Sequence, residues 1–144
     1  MTIDELFQTH NQNKFSFILL AKDNIDHNTI VVLEEKLREK INVVSIKSSK
    51  YSDEELLEAI SKSHFIITGI GRTLDLCQQC NKPTLVDVAA NKVEKQYPSY
   101  IDFFDPFRNE ESKPYYKQKE FDLLIKEIYN QLDRHEIDYV NINL

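Results

Sequence analysis

The sequence predicts a single α/β domain of three layers, a Rossmann-like arrangement in which helices cover both faces of a mainly parallel sheet of four or five strands. Short apolar runs rich in β-branched and aromatic residues alternate along the chain with amphipathic stretches of helical period. Strands joined through helices imply right-handed crossovers and parallel pairing. The 144 residues suffice for one domain with its own core. We therefore assign residues 1–144 to one domain, whose last part, 117–144, is a helix and tail.

The first part of the chain contains two strands and the helix between them. Residues 2–5 have capping-box form, a threonine followed three residues later by a glutamate, so a short helix is expected to open the chain. Residues 14–21 and 41–46 have the composition of core strands. Asn28 is a suitable cap for a helix over residues 28–40. Because residues 30–32 are all β-branched, the start of that helix stays open.

The alternation of strands and helices continues to a fourth strand. A second capping box, residues 52–55, precedes a helix with an apolar stripe of two leucines and an isoleucine. Strands are predicted at residues 64–67 and 84–89, with a helix over 73–80 between them that Pro83 terminates. Residues 119–133 form an amphipathic helix. The tail, residues 137–144, alternates only in part and fits either an edge strand or a loose end.

Residues 97–116 differ from the rest because they combine three prolines with clustered tyrosines and phenylalanines. Such a segment is too aromatic to be simply disordered, and its prolines exclude a long helix. We expect an ordered loop that wraps over the sheet. Clustered aromatic side chains are also typical anchors of protein interfaces. One hypothesis is therefore a non-catalytic interaction or assembly protein that binds a protein partner through this segment.

The two glycines are the most informative local feature. Gly69 and Gly71 are the only glycines in the chain, whereas a domain of this length ordinarily has about ten. Glycine permits a positive φ or a close approach of the backbone to a ligand. Both glycines lie between a predicted strand and a predicted helix, an arrangement that aims backbone N–H groups at an anion, usually a phosphate. The alternative is a tight turn that binds nothing.

Other candidate ligand-binding residues follow the strands, because the carboxyl ends of parallel strands meet at one edge of the sheet. Thr68 follows the third strand, Arg72 could fork onto a phosphate, and Thr73 could cap the helix or contact a bound anion. Asp87 interrupts an apolar strand and could accept ribose hydroxyls, orient a cation, or pair with a neighbouring cation or N–H group. Further polar residues expected at this edge are Lys22, Asp23, Asn24, Lys47, Ser48, Ser49, Asn91 and Lys92.

No catalytic set emerges from the sequence, and the catalytic residues stay unknown. No serine lies in a nucleophile elbow, and no Walker-type lysine follows the glycines. Cys77 and Cys80 lie one helical turn apart and suit core packing, with a redox pair or half of a metal site as alternatives. The four histidines are scattered singly, so we expect no metal site and no cofactor.

Composition limits the partners. The formal net charge of −6 argues against nucleic acid as a partner, although a local loop on an acidic protein can still bind a small anion. The longest apolar run, residues 17–21, is too short for a membrane span, and no leader of signal-peptide form opens the sequence. We therefore expect a cytoplasmic protein.

Residues 52–88 resemble the donor-nucleotide-binding half, the C-terminal half, of GT-B-fold glycosyltransferases. The similarity extends to teichoic-acid glycerophosphotransferases and polysaccharide pyruvyl transferases. It rests on a strand that ends in Ile-Thr-Gly-Ile-Gly (residues 67–71), an Arg-Thr-Leu that follows (72–74), and a lysine-proline pair that opens the next strand (82–83). The chain departs from the pattern at Leu76, where these families usually have an acidic residue that holds the ribose.

The resemblance implies a function for the glycine turn. Gly69, Gly71, Arg72 and Thr73 would face the diphosphate of a nucleotide sugar or another phosphorylated small molecule. These residues would stabilise a departing diphosphate electrostatically, without covalent catalysis. GT-B enzymes use a second domain for the acceptor, so any transfer would need a partner subunit.

Overall fold

The computed structural model describes residues 1–88, 96–105 and 117–140, and the predicted α/β fold is confirmed. Its helices are α1 (Ile3–Thr9), α2 (His27–Leu37), α3 (Asp53–Lys62), α4 (Arg72–Cys77) and α5 (Gln118–Arg134). Its strands are β1 (Phe17–Ala21), β2 (Asn42–Ile46), β3 (Phe65–Thr68), β4 (Thr84–Asp87) and β5 (Ile101–Phe104), and a short 3₁₀ helix, Ser48–Lys50, follows β2. The five strands form one parallel sheet in the order β2-β1-β3-β4-β5.

Helices cover both faces of the sheet. Apolar side chains of α2 and α5 pack on one face against alternate residues of the central strands, including Ile18, Leu20 and Ile67. Side chains of α1, α3 and α4 pack on the other face against the intervening residues, including Leu19 and Ile66. The central strands are thus buried on both sides, which explains why they read as continuous apolar runs in the sequence.

The strand order creates a switch point between β1 and β3. From β1 the chain passes outward to β2 and then returns to β3 on the other side of β1. Loops that leave the carboxyl ends of two such strands run to opposite faces and open a crevice, where ligands of doubly wound sheets bind. The β1–α2 loop (residues 22–26) and the β3–α4 turn (residues 69–71) are therefore neighbours at the carboxyl edge of the sheet.

Two of the predicted helix starts are confirmed and one is displaced. Thr2 caps α1, and Ser52 with Glu55 forms a complete capping box at α3. The cap of α2 is Asp26, not Asn28: its carboxylate accepts hydrogen bonds from the amides of Asn28 and Thr29 at 3.1 and 3.3 Å. Because Asp26 caps the helix two residues earlier, the β-branched residues lie inside it.

The expectation of a plain loop over residues 97–116 was incomplete, because this segment contains β5. Tyr97, Tyr100 and Phe103 pack around Ile101 on the sheet, as a wrapping segment would, and residues 106–116 lie outside the described residues. Residues 137–140 of the predicted tail form no strand, and 141–144 also lie outside the described residues. In the described part of the chain, no helix has both the length and the apolar character of a membrane span.

Candidate functional site

Neither glycine of the β3–α4 turn lies in the left-handed region, so a positive φ, one of the two reasons considered for glycine here, does not apply. The glycines instead allow a close approach by Asn24 of the β1–α2 loop. A Cβ atom on Gly69 would lie 2.4 Å from the carbonyl oxygen of Asn24 and 2.8 Å from its carbonyl carbon. A Cβ atom on Gly71 would lie 2.5 Å from Asn24 Nδ2. The protein's own backbone and side chain thus occupy the space beside both glycines.

Asn24 is fixed where it meets the turn. It adopts φ 66°, in the left-handed region that asparagine tolerates better than most residues. Its Nδ2 donates a hydrogen bond to the carbonyl oxygen of Ile70 at 2.8 Å. The side chain therefore bridges the two loops at the switch point; Gly71 leaves room for its amide, and Gly69 leaves room for the backbone carbonyl of Asn24.

The amides of the turn remain available as donors. No described residue accepts a hydrogen bond from the N–H groups of residues 69–74, and the first bonded amide of α4 is that of Asp75, which donates to Gly71. Thr68 Oγ1 donates to the carbonyl of Gly69 at 3.0 Å. Thr73, with only 2% of its surface exposed, has a hydroxyl with no partner among the described residues. Phosphate binding at these groups stays a prediction.

Arg72 is held by the protein itself. Its Nη1 donates to the carbonyl oxygens of Ser48 and Tyr51, both at 2.8 Å. Its Nε donates to Asp53 Oδ1 at 2.8 Å, and Nη2 lies 2.6 Å from the same oxygen. With four contacts to the β2–α3 loop (residues 47–52) and the first residue of α3, the guanidinium serves first as a clamp on that loop.

A third cross-link joins the β1–α2 and β2–α3 loops. The amide of Ser48 donates to Asp23 Oδ1 at 2.5 Å. Burial alone would raise the pKa of Asp23, but hydrogen bonds from Ser48 and Ser49 outweigh it and hold the pKa below its ordinary value. Asp23 therefore keeps its negative charge while it fixes Ser48. Together with the Asn24 and Arg72 contacts, this bond connects all three loops of the edge.

A cleft of about 520 Å³ opens between the first two of these loops and the start of α2. Its lining residues are Lys22, Asp23, His27, Ile30, Glu34, Lys47 and Ser49. The amide of Lys22 donates to the carbonyl of Ile46 at 2.8 Å, which places the residues after β1 and β2 side by side. The volume lies within the range of small-molecule sites.

The charged side chains of the cleft differ in whether the protein itself binds them. Glu34 Oε2 is bound by Arg38 at 3.1 Å and by the Ser45 hydroxyl at 2.8 Å, and Asp23 is occupied by Ser48. Lys22 and Lys47 form no ion pair with any described residue. Arg38 thus pairs the negative charge of Glu34, whereas Asp23 stays charged and the two lysines form no ion pair. A ligand in the cleft would therefore meet two ammonium groups that no described carboxylate pairs.

The remaining candidates lie apart from this cleft. Asp87, 1% exposed, ends β4 beside Phe104 of β5. Cys77 is buried, which raises the pKa of its thiol to about 12, and burial also raises the pKa of Cys80. Both thiols are therefore protonated at neutral pH, as expected of packing residues. Among the described residues, no three His, Cys, Asp or Glu side chains cluster to hold a metal ion.

Sequence reasoning found part of this edge. Thr68, Gly69, Gly71, Arg72 and Thr73 do lie together at the β3–α4 turn. It also placed the loop residues of the cleft at the edge but missed the contribution of α2, which is made by His27, Ile30 and Glu34. Because these residues are three and four positions apart, they lie on one face of that helix, and this spacing was visible in the sequence.

No protein family, curated protein or solved structure matches the chain. The similarity to glycosyltransferase donor halves therefore stays a prediction.

Proposed function

We propose that the chain binds a small phosphorylated molecule, a nucleotide or a sugar phosphate, at the carboxyl edge of its sheet. The observation that carries this proposal is the cleft, in which Lys22 and Lys47 form no ion pair with any described residue. Lysine ammonium groups bind phosphate as point charges. The fold supports the same location, because open parallel sheets bind ligands outside the carboxyl ends of their strands.

The cross-linked loops favour such a site because they hold its walls in place before a ligand arrives. Asp23 fixes Ser48, and Arg72 fixes the carbonyls of Ser48 and Tyr51. The neighbours of these residues, Lys47 and Ser49, line the cleft. Preorganised groups lose less conformational entropy on binding, so the ligand gains more from each contact. Within this proposal, Arg72 positions the wall and does not itself contact the phosphate.

A relation to the donor half of glycosyltransferases is compatible with this site but is a further proposal. It would add a diphosphate contact from the free amides of residues 69–73, and transfer would still need a partner subunit that supplies the acceptor. The alternative, an interaction protein that uses residues 97–116, gains no support from the described part of that segment. There Tyr97, Tyr100 and Phe103 are packed on the sheet.

Calorimetric titration with inorganic phosphate at low ionic strength tests the proposed site. Lys22→Ala and Lys47→Ala should each weaken binding about tenfold or more, because a hydrogen bond to a charged group contributes about 1.5–3 kcal/mol and 1.4 kcal/mol is tenfold. The double variant Lys22→Ala/Lys47→Ala has a matched control in Lys36→Ala/Lys126→Ala, which removes two exposed lysines outside the cleft and changes the net charge equally. An equal effect of the two double variants, or no binding at millimolar phosphate, would contradict the proposal.

A further inference from the structure

The proposed function leaves open which part of the ligand lies beside the phosphate, and the cleft lining bears on this question. Of the seven described residues that line it, only Ile30 is aliphatic, and none is Phe, Tyr or Trp. The single ring is the imidazole of His27, at the exposed first position of α2. Sites that hold a flat ring with apolar faces, such as a nucleobase, are lined mainly by apolar and aromatic side chains. The described walls of this cleft are not of that kind.

The lining instead offers hydrogen-bonding groups. Glu34 Oε2 is bound by Arg38 and Ser45, but the other carboxylate oxygen, Oε1, has no partner among the described residues. The Ser49 hydroxyl and the ring nitrogens of His27 can both donate and accept. A carboxylate oxygen in a cleft is a strong acceptor for a ligand hydroxyl, whereas it repels a second phosphate.

On the basis of the proposed function, we infer that the cleft binds a phosphorylated sugar or polyol and makes no dedicated contact with a nucleobase. In this arrangement Lys22 and Lys47 contact the phosphate, and Glu34 Oε1 accepts hydrogen bonds from the hydroxyls. Glu34 is thereby the residue that distinguishes a polyol phosphate from phosphate alone. Arg38 and Ser45 keep its carboxylate oriented towards this role.

Calorimetry with four probes separates the contributions. Inorganic phosphate reports the lysines alone, ribose 5-phosphate adds the hydroxyls, AMP adds the base, and adenosine removes the phosphate. We expect ribose 5-phosphate to bind about tenfold tighter than inorganic phosphate, because one charge-assisted hydrogen bond is worth about that factor. AMP should bind within about threefold of ribose 5-phosphate or more weakly, since a threefold change is only about 0.7 kcal/mol. Adenosine should not bind.

The variant Glu34→Gln tests the assigned residue, with Glu35→Gln, exposed on the same helix, as the control of equal charge. Glu34→Gln should reduce the ratio of ribose 5-phosphate affinity to phosphate affinity about fivefold or more, a ratio in which the general effect of charge cancels. Glu35→Gln should leave it unchanged. AMP binding more than tenfold tighter than ribose 5-phosphate, or an unchanged ratio in Glu34→Gln, would overturn the inference while the phosphate site stands. No binding of any phosphorylated probe would overturn the proposed function itself.

Discussion

Replacing each glycine of the β3–α4 turn by alanine should have different consequences, although the two positions are only two residues apart. In Gly69→Ala, the new Cβ would lie 2.4 Å and 2.8 Å from backbone atoms of Asn24. Backbone cannot rotate away as a side chain does, so one of the two loops must shift. Forcing extra atoms into a packed site costs about 1–3 kcal/mol. Alanine also restricts the unfolded chain, which returns about 0.4–1 kcal/mol, so a net loss of about 1–2 kcal/mol is expected.

Gly71→Ala meets a flexible group instead. Its Cβ would contact Asn24 Nδ2 at 2.5 Å, and the next atom, Cγ, is 3.7 Å away. The amide can turn aside at the loss of its hydrogen bond to the carbonyl of Ile70, worth about 0.5–1.5 kcal/mol. The same gain of about 0.4–1 kcal/mol from the unfolded state nearly cancels this loss. We expect a change of no more than about 1 kcal/mol.

Urea unfolding of a double-mutant set measures both effects. The background variant is Asn24→Gly, because glycine adopts the φ of 66° at this position without strain. In that background Gly71→Ala should become neutral or stabilising, since Nδ2 is gone. Gly69→Ala should stay costly, since the carbonyl of residue 24 remains. Equal costs for the two single substitutions, or full rescue of Gly69→Ala by Asn24→Gly, would refute the claim that the glycines accommodate Asn24.

Three further predictions concern groups around the same sheet. Arg72→Lys removes the guanidinium that binds two carbonyls of the β2–α3 loop. The free energy of unfolding should therefore fall by about 1–2 kcal/mol, and amide hydrogen exchange should accelerate across residues 48–53. Unchanged exchange in this segment would exclude the clamp. Desolvation and the nearby charge of Lys82 lower the pKa of His64 in the folded protein. The contribution of His64 to stability is therefore complete above about pH 6.5 and is lost as the pH falls through the pKa of the folded state. His64→Gln should therefore reduce the difference in urea midpoint between pH 7.5 and pH 5, and an unchanged difference would contradict this assignment. Iodoacetamide at pH 8 should modify Cys80 slowly and Cys77 only after unfolding, as mass spectrometry can show; rapid labelling of native Cys77 would disprove its burial.

The sequence was sufficient for the fold because the relevant signals are local. Apolar runs marked the buried strands, and Thr2 and Ser52 marked helix starts through contacts only three residues apart. The strand β5 was not predicted because four residues between prolines show no alternation, and its pairing with β4 supplies the order that the local sequence lacks.

The structural role of the two glycines could be predicted from the sequence only in part. Their scarcity indicated a close backbone approach, but the approaching group, Asn24, contacts a carbonyl 46 positions away in the chain. The same limit applies to Arg72, whose acceptors precede it by about 20 positions. A charged residue beside a glycine turn is equally consistent with a ligand and with a distant loop of the same protein, and only the tertiary structure distinguishes them.

Mapping of the phosphate site by NMR tests the central claim most directly. Titration of inorganic phosphate into ¹⁵N-labelled protein should move the amide signals of residues 22–23, 27 and 47–49 most strongly, because these residues surround the cleft that holds Lys22 and Lys47. The signals of residues 69–73 should move less, since Asn24 occupies the space beside the glycines. If the largest changes fall on residues 69–73 and persist in Lys22→Ala/Lys47→Ala, the anion binds at the turn and the assignment of the cleft is wrong.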